Sequence, residues 1–192
     1  MNISPDKSTW FLFVQGDLNV FSSLFKGYYP SLHNYGLKIS GDIELTEDCL
    51  QDFFIYLYEH RESLGEVNHI KSYLFISFRR AIFKKLKETR KFLSLEDTNE
   101  KAIKFQFSEA ELAEQREFTS IQKSTLAMLL NNLSPREKEV VYLKYYSDLK
   151  TNEIAEIMNI GYQSVLNMLQ KAFVKLRAST EDETIRAILK KS

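Results

Sequence analysis

The sequence predicts an all-α fold, with two helical domains joined by a flexible linker. Three observations carry that prediction. Apolar residues recur at three- and four-residue steps along most of the chain, and no stretch alternates as a half-buried strand would. Only six glycines and three prolines punctuate it, too few for a turn-rich sheet protein. From Ser94 to about Gln115 apolar residues thin out and acids accumulate, separating two periodic halves.

In the first half, residues 10–40 read as helix through Phe21, Leu24, Phe25, Tyr28, Leu32 and Tyr35. Gly36 and the Ser40–Gly41–Asp42 cluster are expected to end it. A second helix is expected near Thr46, taken as its N-cap, with Glu47 and Asp48 favouring the first turn. Its buried stripe is Leu50, Phe53, Phe54 and Leu57. Residues 59–69 are polar, carry Gly65 and read as a loop. A third helix runs from about Ile70 to Lys91, turning Tyr73, Leu74, Ile76, Ser77, Ala81 and Phe83 wholly or partly inward. The expected division is 1–93 for the first domain, 94–120 for the linker, 121–178 for the second domain and 179–192 for a tail.

The second half opens with a helix from Ile121 to Leu133, with Leu126, Leu129, Leu130 and Leu133 inward. Ser134–Pro135–Arg136–Glu137 is a capping box with proline at the first helical position, a specific start signal. Thr151 is expected to cap a short helix in which Ile154, Ala155, Ile157 and Met158 face the core. Asn159–Ile160–Gly161 makes a turn, with Asn159 where a left-handed backbone is required. The last helix buries Val165, Leu169, Ala172, Phe173 and Leu176. Together these make a helix-turn-helix.

Its outer face has a chemical meaning. Gln163, Asn167 and Gln170 lie at steps of four and three, and side-chain amides pair bidentately with adenine in the major groove. Leu166 is expected to meet a thymine methyl; Lys171, Lys175 and Arg177 are expected to meet phosphates, which position without specifying.

Composition excludes other classes. A single cysteine, Cys49, allows no disulfide framework within the chain and suits a reducing compartment. No run approaches the roughly 18 apolar residues of a membrane span, and Asp6, Lys7 and Asp17 interrupt the only apolar N-terminal stretch. A cytoplasmic protein without membrane insertion is expected. His33, His60 and His69 have no metal-ligand spacing with Cys49, and no glycine-rich phosphate loop occurs. The expectation is therefore no catalytic residue, no metal and no cofactor. Net charge is zero, but its distribution is not uniform: −5 over residues 1–60, +6 over 61–94, −4 over 95–120 and +3 over 121–178. Such blocks suit a protein that meets a polyanion with two patches and a protein with the others.

The chain resembles a known family in both halves. Residues 126–177 resemble region 4 of the sigma-70 family, through Leu133–Ser134–Pro135–Arg136–Glu137, Leu143–Lys144–Tyr145–Tyr146, Thr151–Asn152–Glu153–Ile154–Ala155 and Lys175–Leu176–Arg177. That pattern is shared with quorum-sensing-type response regulators, and the first half decides. Residues 10–91 resemble region 2 of extracytoplasmic-function (ECF) sigma factors, through Trp10, Gly16–Asp17, Glu47–Asp48–Cys49–Leu50–Gln51–Asp52–Phe53–Phe54 and Ser72–Tyr73–Leu74–Phe75–Ile76–Ser77–Phe78–Arg79.

The resemblance implies an RNA polymerase specificity subunit that directs promoter-specific initiation, with the core enzyme's clamp and flap regions and promoter DNA as partners. An anti-sigma factor is a common further partner in the family. Asp48, Gln51 and Asp52 would face the clamp, with Phe53 or Phe54 supporting from beneath. Lys71, Arg79, Arg80, Lys84 and Lys87 would serve the −10 element, with Tyr56, Tyr58 and Phe78 as candidate base-stacking rings. Thr151, Tyr162, Gln163, Ser164, Leu166, Asn167, Gln170 and Lys171 would serve the −35 element. Leu166 and Met168 stand where the family usually has basic residues. The alternatives are a helix-turn-helix regulator acting without polymerase and an interaction protein whose helix-turn-helix docks on protein.

Overall fold

The computed structural model describes residues 5–92, 105–108 and 119–179. Every regular element among them is helical. The chain divides into two compact units, Met1–Ile103 and Lys104–Ser192.

Unit 1 contains α1 (Pro5–Val14), α2 (Leu18–Ser40), α3 (Ile43–Glu59), a 3₁₀ turn (Arg61–Ser63) and α4 (Ile70–Phe92). The single helix expected over residues 10–40 is two. Gly16 takes φ +89° and Asp17 caps α2, its carboxylate accepting from the backbone N–H of Asn19 at 2.9 Å and Val20 at 3.2 Å. Gly36 does not end α2; Gly41 does, at φ +67°, donating its N–H to Leu37 O. Gly36 instead marks where three helices meet, because a Cβ there would lie 2.8 Å from Phe78 Cζ and from Thr46 Cγ2. Helix α3 begins three residues before Thr46, capped by Asp42. Thr46 is buried, its hydroxyl donating to Asp42 O at 2.6 Å and paired with Ser40 Oγ at 2.7 Å.

Helices α2, α3 and α4 pack each on the other two around Leu32, Tyr35, Leu50, Phe75, Phe78 and Ile82. The inward stripe of α4 is thus Leu74, Phe75, Phe78 and Ile82, while Tyr73, Ile76, Ser77, Ala81 and Phe83 are half-exposed. Trp10 closes the other end, its indole N–H donating to Gly65 O at 2.9 Å.

Unit 2 contains α5 (Ser120–Asn131), α6 (Pro135–Tyr145), α7 (Thr151–Met158) and α8 (Tyr162–Ser179), with α8 packed on the other three. The capping box at Ser134 is present: Ser134 N–H donates to Glu137 Oε2 at 2.8 Å, and Glu137 N–H to Ser134 Oγ at 3.4 Å. Helix α7 starts with Thr151 as its first residue, not its cap; the Glu153 carboxylate accepts from Lys150 N–H at 2.6 Å. Asn159 is left-handed, at φ +53° and ψ +50°, and donates its N–H to Glu156 O. In α5, Leu126 is half-buried, and Thr125 and Gln122 are buried beside Leu129 and Leu130.

Unit 2 also takes up part of the stretch expected as linker, most of which, like the tail beyond 179, lies outside the described residues. Phe105 and Phe107 are buried to 1 % and 3 % exposure. Phe105 meets Tyr142 edge-on at 5.5 Å and Phe107 meets Tyr146 at 5.5 Å. Asn131 holds the strap by its backbone, accepting from Phe107 N–H at 2.8 Å and donating to Phe107 O at 2.9 Å.

Candidate protein and nucleic-acid interfaces

Helix α3 places Asp48, Gln51 and Asp52 at its exposed surface, because the four-residue spacing of Leu50, Phe54 and their neighbours fixes the opposite face in the core. Phe54 is buried. It stands under the exposed residues in a ring cluster with Phe21, Phe25, Tyr29 and Phe53. Above that cluster a groove of about 590 Å³ opens, floored by Phe21, Phe25 and Phe54 and rimmed by Glu47, Gln51 and Glu59. Asp52 points the other way, to Lys85 on α4, with Nζ to Oδ2 at 3.0 Å. That hydrogen bond, more than any other influence, raises the Lys85 pKa. Cys49 lies beneath, and burial pushes its thiol up to about 11, so it is no nucleophile at neutral pH.

On α4, Arg80, Lys84 and Lys87 are exposed and follow one another along one face. Lys71 and Arg79 are half-buried off that face, with the Arg79 guanidinium 4.6 Å from the Phe83 ring centroid. Of the three candidate stacking rings, Phe78 is wholly buried in the three-helix core. Tyr58 is half-buried under the Arg61 guanidinium and against Phe21. Tyr56 is 58 % exposed, stacked on His60 at 4.0 Å. It borders a groove of about 400 Å³ between α3 and α4 that also holds Tyr73, Ser77 and Lys84. Tyr73, which periodicity turns wholly or partly inward, is half-exposed there. The signal for its partly exposed ring is its register two turns before Arg80 and three before Lys84, seven and eleven positions on along the same helix face.

In unit 2, α8 exposes Tyr162, Gln163, Ser164, Asn167, Gln170 and Lys171. Gln163 Nε2 donates to Asn167 Oδ1 at 3.1 Å. Thr151 is half-buried at the start of α7, and Leu166 is half-buried on the flank of α8. Phe173, expected in the core, is 44 % exposed and packs edge-on against Tyr145 at 5.9 Å. Lys175, expected at phosphates, is engaged by α6: its Nζ lies 2.7 Å from Oε2 and 2.9 Å from Oε1 of buried Glu137. Burial alone would raise the Glu137 carboxyl, but the hydrogen bonds from Lys175 and Ser134 outweigh it and hold the pKa below a carboxyl's ordinary value.

Two family models match, and each falls in one unit: Sigma-70 region 2 over residues 24–92, and Sigma-70 region 4 over residues 124–176. The chain belongs to the sigma-70 family. Among curated relatives it is 26 % identical to the ECF RNA polymerase sigma factor SigM of Bacillus subtilis, over 81 % of this chain and 91 % of SigM. It is 22 % identical to the ECF RNA polymerase sigma factor SigL of Mycobacterium tuberculosis, over 83 % of this chain and 88 % of SigL. Among solved structures the fold matches CnrH, in complex with the cytosolic domain of CnrY, at a TM-score of 0.60 and 16 % identity, over 93 % of this chain and 98 % of CnrH. It matches RpoE of Bartonella quintana, in complex with the anti-sigma factor NepR, at 0.60 and 16 %, over 86 % and 99 %. The sigma factor is of ECF type and serves RNA polymerase in promoter-directed transcription initiation. No helix among the described residues is long and apolar enough to cross a membrane.

Proposed function

We propose that the two units divide the work of a non-enzymatic cytoplasmic specificity subunit, residues 1–93 serving core polymerase and the −10 element and residues 121–178 the −35 element. One observation carries the first assignment: α3 and α4 stand side by side, one with an exposed acidic face, the other with an exposed cationic face beside open aromatic rings. Asp48, Gln51 and Asp52 supply acceptors to basic groups of the polymerase clamp, on a surface stiffened from beneath by Phe54. Arg80, Lys84 and Lys87 draw the DNA backbone along α4, and Tyr56 and Tyr73 offer faces to unpaired bases. Stacking of that kind is worth about 1–3 kcal/mol per base, which lets binding alone favour the opened strand. Lys71 and Arg79 serve the same helix from its half-buried flanks. An anti-sigma factor is proposed as a further partner, on the analogy of the complex that holds RpoE with NepR.

Charge reversal tests the clamp assignment. Asp48→Arg is expected to lower affinity for core polymerase at least tenfold in a fluorescence binding assay, with the helical circular dichroism spectrum unchanged. Lys85→Ala frees Asp52 from its intramolecular partner, and core binding is expected to hold or strengthen. Equal core binding by a folded Asp48→Arg protein, or loss of binding on Lys85→Ala, removes α3 as the polymerase contact.

A further inference from the structure

From Gln163 to Val174 the outward face of α8 carries no charge; Arg177 follows one turn beyond Val174 on its flank. At about 100° per residue, Gln163, Asn167, Gln170 and Val174 fall within an arc of about 60°. That arc lies opposite the buried Val165, Leu169 and Ala172, and its four members are all exposed. Residues 162–174 include one basic residue, Lys171, and no arginine. Lys171 lies on one flank of the arc, and Lys175, one turn further, is held by Glu137. Leu166 and Phe173 lie on the other flank, Phe173 against Tyr145.

The two amides at the start of the helix are not equivalent. One N–H of Gln163 Nε2 is spent on Asn167 Oδ1 at 3.1 Å. Made through the N–H anti to Oε1, that bond leaves the other N–H and Oε1 on one edge of the planar amide, the donor–acceptor pair that adenine N7 and N6 require. The bond to Asn167 also fixes which way round that edge faces. Guanine presents two acceptors, O6 and N7, and this edge, with one donor and one acceptor, leaves one of them unmet. Val174, on the same face, offers methyl groups to the thymine C5-methyl.

We propose that the α8 face of this sigma factor reads A·T pairs, with Gln163 as the adenine-contacting residue, Asn167 as the residue that positions its amide, and Val174 as an apolar contact to thymine. This rests on the assignment of unit 2 to the −35 element and narrows what that element contains. It also narrows how unit 2 holds DNA: with Lys171 the one cation between Tyr162 and Val174 and Arg177 only in the last turn, discrimination comes from base edges more than from phosphate attraction.

The test uses the full chain reconstituted with core polymerase on a promoter found by mapping its transcripts. Each −35 adenine is replaced in turn by 7-deazaadenine, which lacks only N7. Initiation is expected to fall at one adenine by a factor within the range of about 5- to 150-fold that a whole bidentate pair supplies, because the replacement removes its N7 bond and leaves its N6 bond. Gln163→Ala is expected to abolish sensitivity to that replacement while leaving the other positions unchanged. Asn167→Ala is expected to weaken discrimination between A·T and G·C at that position, and Asn167→Asp, which keeps an acceptor for Gln163 Nε2, to restore it. A preferred G·C pair opposite Gln163, or an equal loss on every sequence in Gln163→Ala, overturns the proposal while leaving the sigma assignment intact. A reconstituted enzyme that initiates at no promoter while the chain still folds overturns the assignment beneath it, and the proposal falls with it.

Discussion

Unit 1 displays exposed cations along one face of α4, whereas unit 2 draws Lys175 inward onto Glu137 and leaves amides on the outer face of α8. The cores differ in the same sense. Unit 1 is built from three long helices brought together at Gly36, with aromatic rings filling the space between them. Unit 2 packs three shorter helices, α5, α6 and α7, on the longer α8 around a mainly aliphatic core, and it recruits two rings from outside its helices, Phe105 and Phe107, to cover α6. Long helices supply their own buried area, so their charged faces are left for partners. Short helices supply less per element, and unit 2 adds an aromatic strap, a backbone clamp from Asn131 and a partly buried ion pair.

The strap gives the sharpest way to break this comparison. Phe105→Ala is expected to destabilise unit 2 by about 3–5 kcal/mol, the usual cost of emptying a buried phenylalanine site. Unit 1 is expected to keep its stability, since Phe105 contacts Tyr142 and Phe107 of its own unit. Hydrogen exchange resolved by segment checks this: protection is to fall over α6 and α8 and to hold over α3 and α4. A uniform loss across both units would mean that the strap does not belong to unit 2.

Gly36→Ala probes the other side with a smaller effect. The added methyl meets Phe78 and Thr46 at 2.8 Å, well inside contact distance, and neither buried neighbour has room to withdraw. Overpacking of this kind costs about 1–3 kcal/mol. The lost protection is expected over α2, α3 and α4 only. Normal stability in Gly36→Ala would show the three-helix junction to be looser than its distances state.

Which of these features were legible in the sequence follows from how far each signal reaches. Helix α4 from Ile70, the capping box at Ser134 and the left-handed Asn159 are local, carried by residue type and spacing within a few positions, and they stand where the pattern puts them, whereas the break at Gly16–Asp17 falls inside what reads as one helix. The start of α3 was misplaced onto Thr46 because Asp42 and Thr46 are both capping residues one turn apart, and only the packing of Ser40 against Thr46 decides between them. Phe105 and Phe107 read as linker because two rings in an extended segment show no helical period, and the groove that receives them is made by residues more than twenty positions away. Lys175 read as a phosphate ligand because its partner lies on another helix, 38 residues earlier. Phe78 reads equally as a base-stacking ring or as core, because one aromatic face on an amphipathic helix looks like another until its neighbours are known. Interface residues in contact with solvent were legible by type; what the sequence lacks is the list of those already engaged within the fold.

Acid titration separates the units by the smallest margin. Glu137 ionises below its ordinary 4.5 in the folded state, because Lys175 and Ser134 stabilise the carboxylate against the cost of burial. Its contribution to stability is therefore complete above about pH 4.5 and is lost as pH falls through the folded value. Glu137→Gln removes the charge at every pH while keeping an acceptor for Ser134 N–H. At pH 6 the variant is expected to be less stable than wild type by about 1 kcal/mol, a modest figure because Lys175 is half-exposed and regains water when released. At pH 3 the gap is expected to shrink, since below the ordinary carboxyl range the unfolded wild-type chain takes up a proton that the folded carboxylate resists. Urea unfolding of unit 2 followed at both values decides the matter. A gap that stays constant or widens on acidification would show that the inward-turned lysine contributes packing alone, and that unit 2 does not use charge to hold α6 against α8.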